Sequence, residues 1–241
     1  LVQEKLLDEV VKLGKPIILV IHSGRPLIMT KYKRYFDDGI IDSILYVWFL
    51  GTMSGQAILD TLYGINNPSG KLTMSFPVNV GQIPVYYNYL PTGRPIEEGM
   101  PTDYRTRYID SPNEALYSFG YGLSYSNFKY CKIHLLNDYI DSKTSLSFQI
   151  EVLNDSDVPG FEIVEVYIEC MCDDVSRPVK ELKNFKKIWL KPHEKKKVNF
   201  TLKKNDLIYY VNGLKHIACG KYGLYVGPNT KNIQTVYFVV K

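Results

Sequence analysis

At 241 residues the chain has room for one large domain or two small ones, and 45% hydrophobic with 22% charged residues is ordinary globular usage. The net charge of +4 gathers in lysines between positions 186 and 204, which alternate with Val198, Phe200 and Leu202 as on a solvated sheet face, not as on a nucleic-acid surface. The longest apolar run, Ile17 to Ile21 with its neighbours, falls far short of the roughly 20 residues of a membrane span, so neither nucleic acid nor membrane is an expected partner.

Residues 1–13 place Val2, Leu6, Val10 and Leu13 on one helical face, with Gly14 and Pro16 ending the helix. The run PIILVI follows, apolar without alternation and rich in β-branched residues, which predicts a strand buried on both faces of a parallel sheet. A polar loop and a helix or turn occupy 30–42, a second strand-like run spans Ser43 to Phe49, and 52–63 predicts a helix closed by Gly64. This succession is the rhythm of an open α/β sheet. Residues 66–125 then turn dense in Pro, Gly and Asn, and a structureless stretch of that length tends to be functional or to wrap a neighbouring surface.

From Phe128 the pattern is all-β. Strands are expected at 128–136, 145–153, 163–171, 179–190, 197–202, 206–211, 215–218, 221–227 and 233–240, enough for a sandwich of immunoglobulin or fibronectin type. The expected fold class is therefore α/β followed by all-β, with divisions at 1–85, 86–127 (an irregular linker along both domains) and 128–241. Twenty tyrosines suit strands, half-buried surfaces and sugar clefts alike. Of Cys131, Cys170, Cys172 and Cys219, the middle pair alternates along a strand, so both side chains face one way and form no zinc knuckle. Core thiols are the expected reading, which mildly favours a reducing, cytoplasmic compartment.

Several strings, in order and across nearly the whole chain, resemble family 3 glycoside hydrolases of the β-glucosidase/β-xylosidase type. They are GKPIILVIHSGRPL (14–27), WFLGTMSGQAILDTLYG (48–64), NPSGKLTMSFPVNVGQIPVYYN (67–88), TGRP (92–95), YRTRYID (104–110), LYSFGYGLSYSNF (116–128) and RPVKELKNFKKIWLKPHE (177–194). The resemblance implies the C-terminal part of an α/β-sandwich domain followed by a fibronectin III-like sandwich. It implies a retaining exo-β-glycosidase acting on β-linked oligosaccharides or glycosides, whose nucleophilic Asp lies in an N-terminal (β/α)8 barrel and whose acid/base Glu lies upstream of Leu1. A non-catalytic carbohydrate- or protein-binding module is the alternative.

A retaining glycosidase needs two carboxyl groups roughly 5–5.5 Å apart. The adjacent pairs Asp37–Asp38 and Glu97–Glu98 lie in polar loops and are expected to be solvated. His22 and Ser23 are neighbours on a strand end and point apart, so they do not form a base–nucleophile pair. The resemblance places this stretch in a loop after a parallel strand, where ligands gather in open α/β sheets, so His22, Arg25 and Trp48 are the candidate substrate-binding residues on the edge facing the barrel, with packing at a domain interface as the alternative. Relative to the family, Gly51-Thr52-Met53-Ser54-Gly55 lacks an acid, 30–42 is about five residues longer, and Asn184 and His193 replace glycines. No phosphate-cradling glycine motif or metal-ligand spacing is present, so no cofactor or metal is expected.

Overall fold

The computed structural model describes residues 2–96, 101, 103–172 and 175–241. The chain divides into two compact units, one of Leu1–Ile65, Ser75–Val85 and Tyr108–Tyr117, the other of Asn66–Met74, Tyr86–Arg107 and Ser118–Lys241.

The first unit runs α1 (Val2–Val11), β1 (Ile18–Ile21), α2 (Thr30–Asp37), β2 (Ser43–Tyr46) and α3 (Ser54–Leu62). Gly14 and Gly64 close α1 and α3 at φ of 59° and 74°, a left-handed conformation that glycine adopts without strain. β1 and β2 pair in parallel, Ile18 to Ser43 through Ile21 to Tyr46. Their entry is locked reciprocally: the Ile17 N–H donates to Asp42 Oδ2 at 2.7 Å, and the Asp42 N–H donates to the Ile17 carbonyl at 2.9 Å.

Two expectations are corrected here. The strands are not buried on both faces: no residue of β1 or β2 is buried, and only the flanking Ile17 and Val47 are. A two-stranded sheet has too few covering elements to close both sides. Three of the four residues of the expected α1 face, Val2, Leu6 and Leu13, are also exposed, and only Val10 is half-buried. VQEKLLDEVV carries a second apolar stripe, and the helix turns Leu7, Val10 and Val11 inward instead, while Asp8 pairs with Lys31 Nζ of α2 at 2.5 Å.

The second unit holds β3 (Phe128–Tyr130), β4 (His134–Leu135), β5 (Tyr139–Ile140), β6 (Leu146–Asn154), β7 (Gly160–Cys170), β8 (Glu181–Leu190), β9 (Lys195–Leu202), β10 (Tyr209–Val211), β11 (Leu214–His216), β12 (Gly220–Gly227) and β13 (Gln234–Val240). One sheet has the order β5-β13-β12-β7-β8; in the other, β6 is flanked by β9 on one side and by β3 and β4 on the other. Strict alternation fixes which side chains meet between the sheets. Leu146, Phe148, Ile150 and Val152 of β6 face Val164, Val166 and Ile168 of β7 with Tyr222, Leu224 and Val226 of β12, all fully buried in one cluster. Phe148 stacks on Phe200 at a centroid distance of 5.5 Å.

The expected strand 128–136 is broken in two, and the break is satisfied by one side chain. Gln234 Nε2 donates to the Tyr130 and Cys131 carbonyls at 3.1 and 2.7 Å, and its Oε1 accepts the Ile133 N–H at 3.2 Å. The strand expected at 206–211 starts only at Tyr209, because residues 206 and 207 belong to a 3-10 turn, Lys204–Leu207, in which Asp206 accepts the Lys203 N–H at 2.7 Å. Asn184 lies within β8, opposite Val166 at a register irregularity, so its replacement of a glycine needs no left-handed backbone.

His193 differs: it sits at φ 56° in the turn between β8 and β9, where a Cβ is strained. Its ring nitrogen Nε2 lies 2.9 Å from Asp157 Oδ1 with both groups largely in solvent, a polar contact of little net worth. His193→Gly is expected to raise the unfolding free energy by about 0.5–1 kcal/mol, the strain relieved exceeding the lost contact and the added chain entropy. Urea unfolding of the two forms measures this; equal or lower stability of the glycine form would refute it.

Candidate functional site

The parallel register of β1 and β2 brings both carboxyl ends to one edge of the first unit. β1 runs directly into His22-Ser23-Gly24-Arg25, and β2 into Val47-Trp48-Phe49. His22 and Arg25 are exposed and Trp48 is half-buried. The Ser23 hydroxyl donates to the Arg25 carbonyl at 2.9 Å and accepts the Arg25 N–H at 3.4 Å, closing a tight turn. That hydroxyl is committed to the loop, in keeping with the exclusion of a His22–Ser23 catalytic pair.

Two contacts join the loops. The Tyr46 hydroxyl donates to the Arg25 carbonyl at 2.5 Å. The Phe49 ring lies so close over Gly24 that a Cβ there would come 2.5 Å from Cε2 of Phe49, a distance real Cβ contacts do not reach. A side chain at position 24 would thus displace the exposed Phe49 ring, and the backbone bearing Arg25 is contacted by residues of the β2 strand and loop. Neither Tyr46 nor Phe49 was singled out from the sequence. The available signal was the aromatic pair flanking Trp48, which has no chemistry until the two loops are placed side by side.

Trp48 adopts φ 54°, a region where a bulky residue is a true outlier. Such strain persists only where the surroundings over-determine it, and it concentrates at functional sites. The surroundings here are aromatic. The Trp48 ring meets Tyr46 edge-on at 4.9 Å and Phe76 at 6.0 Å, Tyr46 meets Phe76 at 5.0 Å, and Phe76 meets Tyr117 at 6.2 Å. Phe76 is buried and exchanges backbone hydrogen bonds with Leu116 and Tyr117. The cluster therefore fixes the indole from behind and leaves part of it at the surface.

The passage 75–85 is scaffold to this edge. Fully buried Gln82 accepts the Val78 N–H at 2.7 Å and donates to the carbonyls of Pro112 and Glu114 at 2.9 and 2.8 Å. The Thr30 hydroxyl donates to the Val78 carbonyl at 2.5 Å, tying the start of α2 to the same passage.

Asp37 and Asp38 pair with Lys33 and Arg34 at i,i+4 spacing on exposed α2, at 2.5 and 3.7 Å. Glu97 and Glu98 lie outside the described residues. Among the described residues no group of three or more His, Cys, Asp or Glu side chains could hold a metal ion, and no helix is long and apolar enough to cross a membrane. The strongly perturbed carboxyls are in the second unit, on β7. Burial pushes Glu165 up to about 7 against the Tyr167 hydroxyl and Lys71, and burial likewise raises Glu162, partly offset by Lys71 at 3.3 Å and the Tyr130 hydroxyl at 2.8 Å. Both are anchored by tyrosine hydroxyls in a folded interior, which is structural work.

The class these features define is an α/β portion with loops gathered past two parallel strand ends, followed by a fibronectin-type sandwich. The family follows from comparison with known proteins. The model of the glycosyl hydrolase family 3 C-terminal domain matches residues 1–125, and that of a fibronectin type III-like domain matches residues 162–230. The chain belongs to glycosyl hydrolase family 3. A periplasmic beta-glucosidase of Salmonella typhimurium is 40% identical over 96% of this chain and 30% of its own length; a beta-xylosidase of Formosa agariphila is 37% identical over 100% and 32%. The crystal structure of a beta-glucosidase from Listeria innocua in complex with gluconolactone superposes with a TM-score of 0.90 at 38% identity, over 99% of this chain and 32% of that one. The chain thus spans about a third of the length of the relatives it matches.

Proposed function

We propose that this chain forms the C-terminal portion of a retaining exo-β-glycosidase, lining one wall of a cleft for β-linked glycosides without supplying either catalytic carboxylate. The observation that carries this reading is the strained, aromatic-backed Trp48 at the edge that also bears His22 and Arg25. An indole face suits stacking on a sugar ring, and a guanidinium and an imidazole suit hydrogen bonding to its hydroxyls. The uncovered apolar surface of the first unit, with Val2 at 84%, Phe49 at 80% and Met53 at 70% exposure, supports docking against a preceding (β/α)8 barrel that brings the nucleophile.

The 241-residue chain alone is expected to leave aryl β-glucosides unhydrolysed at any pH between 4 and 9, roughly, since a pair of carboxyls at retaining distance is what the reaction requires. Release of the aryl alcohol above the buffer rate, abolished by substituting one of the chain's own acidic residues, would overturn the assignment. An in-frame barrel with a nucleophile motif upstream of Leu1 supports it, and an upstream region coding for an unrelated domain would favour a non-catalytic binding module.

A further inference from the structure

We propose that Cys170 and Cys172 are a redox-active dithiol, a modification site at the end of β7 that closes to a disulfide by exchange with a small disulfide oxidant of the glutathione class. The sequence Cys-Met-Cys sends both side chains to one side, and a bend at Met171 brings the two sulfurs within 3.6 Å. Neither is joined in a disulfide. A disulfide bond is about 2.05 Å long, so closure asks for little more than rotation about the two Cα–Cβ bonds. Cys131 and Cys219, the remaining cysteines, are likewise not in a disulfide.

Access is supplied by an open cavity of about 360 Å³ lined in part by Cys170, Met171, Arg177 and Pro178. Buried Arg177 lines its wall, donating to Glu181 Oε1 at 2.6 Å and lying over the Tyr209 ring at 4.6 Å. Cys170 lines this cavity, whereas Cys172 is not among its lining residues and stands against Gly220, where an added Cβ would come 2.7 Å from its Cβ and Sγ. Cys170 is therefore the attacking sulfur and Cys172 the resolving one.

The balance is that of thiol–disulfide exchange. The Cys170 thiolate attacks one sulfur of the oxidant and expels one thiolate, leaving a mixed disulfide. The Cys172 thiolate then attacks Cys170 Sγ, forming the Cys170–Cys172 bond and expelling the second. The protein loses two protons and two electrons, and one oxidant disulfide is reduced to two thiols.

The test uses the purified chain with oxidised glutathione. The expected result is a fall in alkylatable thiols from four to two, reversed by dithiothreitol, with no retained glutathione. Cyanogen bromide cleaves after Met171, and the fragments on its two sides are expected to stay linked in the oxidised sample and to separate after reduction. Cys172→Ser is expected to trap glutathione on residue 170, and Cys170→Ser to abolish the intramolecular product. Retention of all four thiols, separation of the two fragments in the oxidised sample, or a bridge that involves Cys131 or Cys219 would each overturn the proposal.

Discussion

Replacement of Glu165 by Gln is expected to make the protein more stable above neutral pH and to flatten the fall of stability with rising pH. Glu165 stands on β7, only 5% exposed, with the Tyr167 hydroxyl donating to its Oε2 at 2.5 Å. Gly120 lies so close that any side chain there would overlap the carboxylate, and Asn229 borders the same space. Burial in that setting disfavours the charged form and lifts the group from 4.5 to about 7. The Tyr167 hydrogen bond and the charge of Lys71 pull it down, while neighbouring Glu162 pushes it up, and desolvation prevails.

The sign follows from which state holds the proton. Below pH 4.5 both folded and unfolded chains are protonated at this site, and the group costs nothing. Between 4.5 and about 7 the unfolded chain releases its proton first, so the folded state binds more protons and stability falls as pH rises. Above that window both states are ionised and the penalty is constant, amounting to roughly 3 kcal/mol at about 1.4 kcal/mol per pH unit. Gln keeps the acceptor for Tyr167 and carries no charge to desolvate. Urea midpoints measured from pH 5 to 8 are therefore expected to converge at the acidic end and to diverge in favour of the variant at the alkaline end. Buried Glu162, raised in the same direction, leaves a residual slope in the variant. Parallel pH profiles for the two proteins would refute the account.

The fold was legible where one physical signal dominated. Alternation in Leu146 to Val152 and in Val164 to Ile168 predicted β6 and β7 because one face of each strand is buried against the other sheet. Helix ends were legible from Gly14 and Gly64, where only a residue without Cβ takes positive φ freely. What escaped depended on partners remote in sequence. The break at 131–133 is satisfied by Gln234, about a hundred residues away, and the choice of the inward stripe of α1 depends on where α2 puts Lys31. At the candidate edge, the placement of His22, Arg25 and Trp48 beyond parallel strands followed from the family resemblance and the strand order it implies. The support given by Tyr46, Phe49 and Phe76 did not, because it consists of contacts between loops. The left-handed backbone of Trp48 has no sequence signature at all, since the residue types that announce such a conformation are Gly, Asn and Asp.

Asn67→Ala is expected to cost roughly 2–6 kcal/mol of stability, the sum of four hydrogen bonds at ordinary net values. Its Nδ2 donates to Ser126 Oγ at 2.7 Å and to the Pro159 carbonyl at 2.9 Å, while its Oδ1 accepts from Ser124 Oγ at 2.8 Å and from the Tyr125 N–H at 3.0 Å. One amide thus ties three segments together: the NNPSG turn, the stretch before β3, and the turn before β7. Ser126 extends the tie by donating to the Val158 carbonyl at 2.7 Å. Gly160 is part of the same seat, because a Cβ there would come 2.6 Å from Asn67 Nδ2 and 2.7 Å from Ser126 Oγ. Every polar atom of the Asn67 side chain is used twice, so truncation leaves two backbone groups and two hydroxyls to find water or go without. Asn67→Asp separates the two halves of the argument: it preserves the acceptor side, removes both donors and sets a carboxylate against the Pro159 carbonyl, so it is expected to be at least as damaging as alanine. Thermal melts of the second unit's signal report the loss. If Asp were tolerated as well as the native residue, the donor bonds would be shown to contribute nothing, and the turn would be held by Pro68 and Gly70 alone.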